Sequence, residues 1–218
     1  MRSTRCRLVA FDLAGTTMAD DGQVGAALRL ALAEHGIRAG DDQIVALRGR
    51  SKRLALRELA SSPRHGDAVY AAFLRRLRET CNRRAIRAVP GAEAAFGRLR
   101  AAGMHLALTT GFDRETTNAL LTSLGWTAGT FDAIVCSDEV RYGRPAPDMI
   151  LKAMTTIGMR DARGIASVGD TTADLCAGRN AGVGWNVGVW SGAHARGRLL
   201  LAPHTHLVES IRDLPEFS

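Results

Sequence analysis

The arrangement of apolar runs along the chain constrains its fold more than any other feature. A short apolar run at residues 7–12 predicts a buried strand that ends at an aspartate. From about 24 to 87, apolar residues recur every three or four positions, which predicts helices and no strand. Beyond residue 91, strand-like and helix-like segments alternate. Such alternation favours a parallel sheet with helices on both faces.

The first strand belongs with the later ones, and a helical block interrupts them. We therefore expect an α/β protein with a Rossmann-like core at 1–17 and 88–218 and an all-helical cap at 18–87. In such sheets, ligands bind beyond the carboxyl ends of the strands. The later strands are predicted at 105–109, 131–136, 164–168, 184–189 and 206–208, and the helices between them at 92–102, 114–124, 148–157, 173–180 and 193–201.

Composition and charge indicate which kinds of molecule the protein binds. The chain has 218 residues and a formal charge of +7, but its 29 cationic residues are spread along its whole length. We therefore expect no nucleic-acid partner, and assign part of the positive charge to binding an anionic substrate. No apolar run approaches the roughly 20 residues that span a bilayer, so no membrane partner is expected. Four scattered cysteines favour a reducing, cytoplasmic location.

Polar residues follow four of the predicted strands at the point where each strand ends. They are Asp12, then Thr109, Thr110 and Gly111, then Arg144, and finally Asp170 and Asp174. Each segment alone has an ordinary structural interpretation, since aspartates cap helices and glycines form turns. Because parallel strands end at one edge of a sheet, the set predicts one site containing carboxylates, hydroxyls and a cation.

These residue types suit phosphoryl transfer to water. Asp12 would attack phosphorus and form an aspartyl phosphate. With the two later aspartates it would also provide the oxygen ligands that Mg²⁺ prefers. The Thr110 hydroxyl and the Gly111 amide would donate hydrogen bonds to the phosphoryl oxygens, and Arg144 would neutralise the developing charge.

These four blocks resemble the signature of the haloacid dehalogenase superfamily, and within it the phosphonatase-like subgroup. That signature is Asp-x-Asp-x-Thr after the first strand, then Thr or Ser, then Lys or Arg, then Gly-Asp-x-x-x-Asp. The resemblance covers nearly the whole chain and implies a magnesium-dependent hydrolase with a cap, often a homodimer. It implies that Thr110 is the second-block hydroxyl, with Thr109 as the alternative, and that Gly49, Thr109 and Gly111 contact the substrate.

The first block departs from the phosphatase pattern. Phosphatases of the superfamily have a second aspartate two residues after the nucleophile, where this chain has Ala14. Ala14 offers only its backbone carbonyl, which the resemblance assigns to the metal. An ordinary phosphate ester would then lose its general acid, a loss of about 10²–10⁴ in rate. The phosphonatase-like subgroup also carries alanine in this block.

Lysine is rare in this chain, which makes each lysine a candidate for a specific role. Among the cationic residues, only Lys52 and Lys152 are lysines, so arginine is used almost wherever a positive charge suffices. Lysine differs from arginine in that its amine can act as a nucleophile. The resemblance implies that Lys52, three residues after Gly49, forms a Schiff base with the substrate carbonyl. The alternative is that Lys52 is a solvated residue at a helix start, as we expect for Lys152.

The segment around Lys52 is rich in arginine. Arg48, Arg50 and Arg53 would lower the pKa of Lys52 if they lie close to it in the fold. Three positions depart from phosphonatases, which have Met, His and Tyr where this chain has Arg48, Ala55 and Phe112. These departures leave the exact substrate open. His194 and His206 are expected to be surface or structural residues.

The favoured hypothesis is hydrolysis of the carbon–phosphorus bond of a small carbonyl phosphonate such as phosphonoacetaldehyde. A second hypothesis is a phosphatase or phosphotransferase for a small phosphorylated metabolite. A third is a binding or regulatory protein that keeps the fold without turnover. The first requires Lys52 as an amine, whereas the second does not.

Overall fold

A six-stranded parallel sheet lies at the centre of the computed structural model, which describes residues 5–83, 86–127 and 129–217. The strand order is β3-β2-β1-β4-β5-β6, and all neighbouring strands run parallel. The α/β class predicted from the sequence is confirmed. The strands are β1 (Leu8–Asp12), β2 (His105–Thr110), β3 (Ala133–Cys136), β4 (Ile165–Gly169), β5 (Trp185–Val189) and β6 (His206–Val208).

The first strand is the centre of the sheet. All five residues of β1 are buried, because the strand pairs with β2 on one side and β4 on the other. The strand order reverses between β1 and β4, which is where open α/β sheets form a crevice beyond the strand ends. Asp12 is the last residue of β1 and therefore lies at this crevice.

Among the described residues, five helices alternate with the later strands: α5 (Ala92–Ala101), α6 (Arg114–Ser123), α7 (Asp148–Thr156), α8 (Thr172–Ala181) and α9 (Arg196–Leu199). The prediction for the last of them, 193–201, was too long. The amide of Ala193 donates to Asp170 Oδ2 (2.6 Å), and the amide of His194 donates to the Asp170 carbonyl (3.2 Å). Because these amides bind Asp170, residues 191–194 form a turn and bends, and the helix begins only after Ala195.

The segment after β1 is helical, as predicted, within its described residues. It contains α1 (Gln23–Glu34), α2 (Asp41–Leu47), α3 (Lys52–Leu59) and α4 (Pro63–Arg83), with α1 and α3 both packed on α4. Pro63 opens α4, as expected of proline in a first turn. Gly66 does not end the helix. It lies inside α4, where a Cβ would come 2.5 Å from Arg57 Cα, so it permits close packing of α3 on α4.

Two antiparallel segments connect the helical block to the sheet. The amide of Ala19 donates to the Arg87 carbonyl (2.9 Å). The amide of Val89 donates to the Thr17 carbonyl (2.8 Å). The predicted domain boundaries fall within these paired segments, and we keep them as a proposal. Residues 1–4, 84, 85, 128 and 218, which those ranges include, lie outside the described residues. Over the described ranges, no helix has the length and hydrophobicity of a membrane span.

Candidate active site

Asp12 and Arg144 form a buried ion pair at the end of β1. Nη2 of Arg144 lies 2.7 Å from Oδ1 of Asp12, and both side chains are at most 8% exposed. Burial raises the pKa of Asp12, and the adjacent guanidinium opposes that rise. Arg144 therefore favours the ionised carboxylate that a nucleophile must be.

Arg144 is fixed on several sides. Its Nη2 also donates to the Thr109 carbonyl (2.9 Å), and its Nη1 pairs with Oδ1 of Asp174. Burial disfavours the guanidinium charge, but Asp174 and Asp12 outweigh burial and hold the pKa of Arg144 above its ordinary value. Its Nε is buried and has no hydrogen-bond partner among the described residues. The predicted cation is thus directed at the predicted nucleophile.

The two aspartates after β4 have different surroundings. Asp174 is the third residue of α8 and accepts hydrogen bonds from the amide (3.1 Å) and hydroxyl of Thr171, which caps the helix. Asp170 precedes the cap, and its Oδ1 accepts from the Thr16 hydroxyl (3.4 Å). Burial, Asp12 and Asp174 all raise the pKa of Asp170. Asp174 therefore completes the capping box and orients Arg144, while Asp170 faces the other carboxylates.

The carboxylates suit a hard cation in their chemistry. Asp12 and Asp170 are buried carboxylates that disfavour one another's charge, and a divalent cation between such groups relieves that repulsion. Among the described residues, however, no three acidic, histidine or cysteine side chains surround a common point. Asp174 contacts Arg144 instead. The predicted ligand set with Ala14 remains a prediction.

Six of the predicted site residues line one cavity. They are Asp12, Ala14, Gly49, Lys52, Thr110 and Gly111. The other lining residues are Val24, Arg48, Phe112 and Thr171, of which only Arg48 was expected to affect the site, through the pKa of Lys52. Residues from the helical block and from three strand ends thus meet around one cavity.

Lys52 is buried in this cavity wall. It is only 4% exposed, its Nζ donates to the Arg50 carbonyl (3.0 Å), and Nζ lies 6.0 Å from the centre of the Phe112 ring. The solvated interpretation of this lysine is therefore wrong. Lys152 is exposed, as predicted, and donates to the Glu139 carbonyl (2.9 Å).

Burial is the main cause that lowers the pKa of Lys52, to about 8, followed by the charge of Arg144. Arg48 lowers it further, whereas Asp12 opposes the shift. The expectation that flanking arginines lower this pKa is thus correct for Arg48, although burial and Arg144 matter more. Arg50 and Arg53 instead form ion pairs with Glu58 (2.7 Å) and Asp67 (2.8 Å).

Glycines allow the loop at 48–52 to lie directly on the strand ends. Gly49 has a φ of +75°, and a Cβ there would come 2.9 Å from Cβ of Thr171. At Gly111, a Cβ would come 2.6 Å from the Arg50 carbonyl oxygen. Real Cβ atoms do not approach so closely, and a left-handed φ strains any residue with a side chain. These glycines are therefore required for Lys52 to reach the cavity.

Of the two threonines that could contact the phosphoryl group, one faces the cavity and the other faces the sheet. Thr110 lines the cavity, and its Oγ1 accepts a hydrogen bond from the Phe112 amide (3.3 Å). The Thr109 hydroxyl donates to the Phe11 carbonyl (3.3 Å) within the sheet. Thr110 is therefore the hydroxyl that a ligand in the cavity can reach.

His194 has a structural position between the helical block and the sheet. It is 2% exposed, its Nδ1 accepts from the Thr172 amide (3.1 Å), and its Nε2 lies 3.4 Å from the Val45 carbonyl. A surface position is therefore wrong for His194, and a structural one is correct. His206 is half-buried on β6, with Nδ1 2.9 Å from the Thr205 hydroxyl.

Comparison with known proteins shows the family and the fold of this chain. The chain belongs to the haloacid dehalogenase-like hydrolase family, whose model matches residues 9–187. A phosphonoacetaldehyde hydrolase from Nitratidesulfovibrio vulgaris is 31% identical over 201 residues, 84% of this chain and 71% of that one. One from Bacteroides fragilis is 29% identical over 58% of this chain, and the match spans 57% of that enzyme's length. A hydrolase structure from Pseudomonas syringae has a TM-score of 0.87 at 25% identity and covers 96% of both chains.

Proposed function

We propose that this hydrolase cleaves the carbon–phosphorus bond of a small carbonyl phosphonate, such as phosphonoacetaldehyde. One observation carries the proposal: the buried amine of Lys52 and the carboxylate of Asp12 line the same small cavity. The names of the curated relatives support the same substrate class.

A carbon–phosphorus bond breaks poorly because the electron pair would leave on carbon as a carbanion. The Lys52 amine condenses with the substrate carbonyl and releases water, forming an imine one carbon from the bond to be broken. With a proton on the imine nitrogen, the electron pair then moves into the resulting iminium and gives a neutral enamine. No acid is needed on the leaving atom, which is consistent with Ala14 in place of an aspartate.

Asp12 accepts the phosphoryl group. Its carboxylate attacks phosphorus in line with the breaking bond and forms an aspartyl phosphate, while Arg144 and the Thr110 hydroxyl bind the phosphoryl oxygens. Protonation and hydrolysis of the enamine release the aldehyde and Lys52. Water then cleaves the aspartyl phosphate to give phosphate and Asp12.

Magnesium is the cofactor that this chemistry requires. We assign Asp12, the Ala14 carbonyl and Asp170 as the groups that would hold it, next to Asp174. When bound, Mg²⁺ would neutralise the phosphoryl oxygens and lower their repulsion with the attacking carboxylate. The homodimer predicted from the resemblance remains a prediction.

Borohydride trapping tests the Schiff base directly. The protein is incubated with phosphonoacetaldehyde, reduced, digested and analysed by mass spectrometry. We expect an adduct on the peptide that contains Lys52 and none on the peptide that contains Lys152. Because the chain has two lysines, the assignment is simple.

Matched variants complete the test. Lys52→Arg should lose both the adduct and phosphate release, whereas Lys152→Arg should keep both. Asp12→Asn should keep the adduct but lose phosphate release by about 10³-fold or more. Hydrolysis of phosphate esters without any Lys52 adduct would overturn the proposal in favour of a phosphatase. No phosphate release from either substrate type would favour a protein without turnover.

A further inference from the structure

Arg48 borders the same cavity as Lys52 and Asp12. It follows α2 directly, with φ −72° and ψ 149°, and Gly49 then turns the chain toward Lys52. The resemblance offers no role for an arginine here, since true phosphonatases have methionine at this position. The side chain of Arg48 therefore adds a cation to the wall beside the lysine.

Asp20 fixes the Arg48 side chain from behind. Nη2 of Arg48 pairs with Oδ2 of Asp20, whose side chain is 1% exposed. The other oxygen of Asp20 accepts from the amides of Gly22 (3.1 Å) and Val24 (3.2 Å) at the start of α1. Because Asp20 is itself held by the backbone, the guanidinium has a defined position.

Arg48 still has free donors. Within the described residues, Nη2 is its only nitrogen with a hydrogen-bond partner, while Nε and Nη1 have none. The side chain is 14% exposed and lines the cavity. A guanidinium presents five N–H donors in a plane and can serve two carboxylates on different edges. One edge of Arg48 is therefore available to a ligand.

In the proposed reaction, one substituent of the substrate's carbonyl carbon would lie near Arg48. The carbonyl carbon bonds to Nζ of Lys52, and phosphorus faces Asp12. The third substituent on that carbon is a hydrogen in an aldehyde, which gives the free donors no partner. A carboxylate at that position gives them a charged, planar partner. Val24 and Phe112 provide the apolar remainder of the wall.

We propose that Arg48 binds a carboxylate of the substrate, so that the natural substrate is a small 2-oxo acid with a phosphono group on C3. This inference rests on the proposed function and names its substrate class. The reaction balances in the same way: water supplies OH to phosphorus and H to C3. The products are inorganic phosphate and a 2-oxo acid with a terminal methyl group.

Substrate preference tests the inference. Phosphate release is measured with 2-oxo-3-phosphonopropanoate and with phosphonoacetaldehyde, and the ratio of their kcat/KM values is compared among variants. We expect a wild-type ratio above one. Arg48→Met should lower the ratio by about 10- to 100-fold, because it removes a hydrogen bond to a charged group. Arg48→Lys, which keeps the charge but not the planar fork, should lower it less.

Two further variants separate recognition from folding. Arg53→Gln removes an arginine from the same segment that does not line the cavity, and Asp67 keeps Arg57 as a partner (2.6 Å). This variant should keep the wild-type ratio. The double variant Asp20→Asn with Arg48→Met removes both charges of the buried pair. It should keep the low ratio while restoring stability lost in the single variant.

The outcomes distinguish the two proposals. If the aldehyde is cleaved with a Lys52 adduct but the ratio is one or less, or is unchanged in Arg48→Met, the carboxylate inference is wrong and the proposed function stands. If neither phosphonate is cleaved and no adduct forms, the proposed function fails and the inference fails with it.

Discussion

The protonation state of Lys52 determines whether the proposed imine can form near neutral pH. Burial and the charge of Arg144 lower its pKa to about 8, whereas an unperturbed lysine titrates near 10.4. At pH 7.5, about a quarter of the Lys52 amines should be neutral, against about one in a thousand for an unperturbed lysine. The reactive form is therefore about 200-fold more abundant.

NMR can measure this titration directly. Protein labelled with ¹³C-lysine should give two Cε signals, which Lys152→Arg would assign. We expect the Lys52 signal to shift with a midpoint near pH 8 as the pH is raised from 6 to 9.5. A Lys52 signal that does not move over this range would refute the argument that burial and Arg144 set its pKa.

The same shift predicts an effect on stability. Because the pKa of Lys52 is lower in the folded state, the unfolded state binds more protons between about pH 8 and 10.4, and stability should rise with pH across that window. Below pH 8 the charged amine destabilises the folded state by about 3 kcal/mol. Lys52→Met removes this penalty but loses the hydrogen bond to the Arg50 carbonyl, which is worth about 1 kcal/mol. We expect a net gain of about 2 kcal/mol in urea unfolding at pH 7. A less stable variant would contradict the reasoning.

Three further predictions test the surroundings of the site. Gly49→Ala should lower the free energy of unfolding, measured by urea titration, by at least about 1–2 kcal/mol, because its φ is left-handed and its new Cβ would contact Thr171. Gly97→Ala is the control: it lies on an exposed helix face with open space and should raise the free energy of unfolding by about 0.5–1 kcal/mol in the same titration. Arg144→Ala should cost about 3–5 kcal/mol at neutral pH by calorimetry, and the loss should shrink at low pH as Asp12, whose pKa burial raises, becomes protonated. EDTA should stop phosphate release, and Asp170→Asn should raise the Mg²⁺ concentration for half-maximal activity by at least about tenfold.

Features set by local sequence were predictable. The apolar run of β1 and the alternation after it predicted the sheet, because burial and periodicity are encoded within each element. The location of polar residues at strand ends followed from the geometry of parallel sheets. The cap of α8 was not predicted correctly: the sequence interpretation made aspartates the caps, whereas Thr171 caps the helix and forms a capping box with Asp174.

Contacts between distant segments were not predictable from the pattern. The burial of Lys52 depends on the approach of its loop to Thr171 and Gly111, which local sequence does not encode. Its helix, in which four of the eight residues are charged, has the composition of an exposed surface. Likewise, the pairing of Arg144 with Asp174 joins residues 30 positions apart, so the sequence suggested a cation and a metal ligand rather than an ion pair.

The environment of Lys52 favours a chemical role over a structural one. A lysine amine has three donors, and among the described residues Nζ has a single hydrogen-bond partner, the Arg50 carbonyl. Burying the charged amine of Lys52 destabilises the folded state at neutral pH. This chain uses arginine at nearly every other cationic position, so a lysine here brings no structural advantage. Strongly shifted groups in clefts are concentrated at functional sites. A buried amine at Lys52 and an alanine, Ala14, in place of the usual acid together favour carbon–phosphorus bond cleavage through an imine. In that reaction the bonding electrons pass into the imine, so the leaving carbon needs no proton, unlike the leaving oxygen of a phosphate ester.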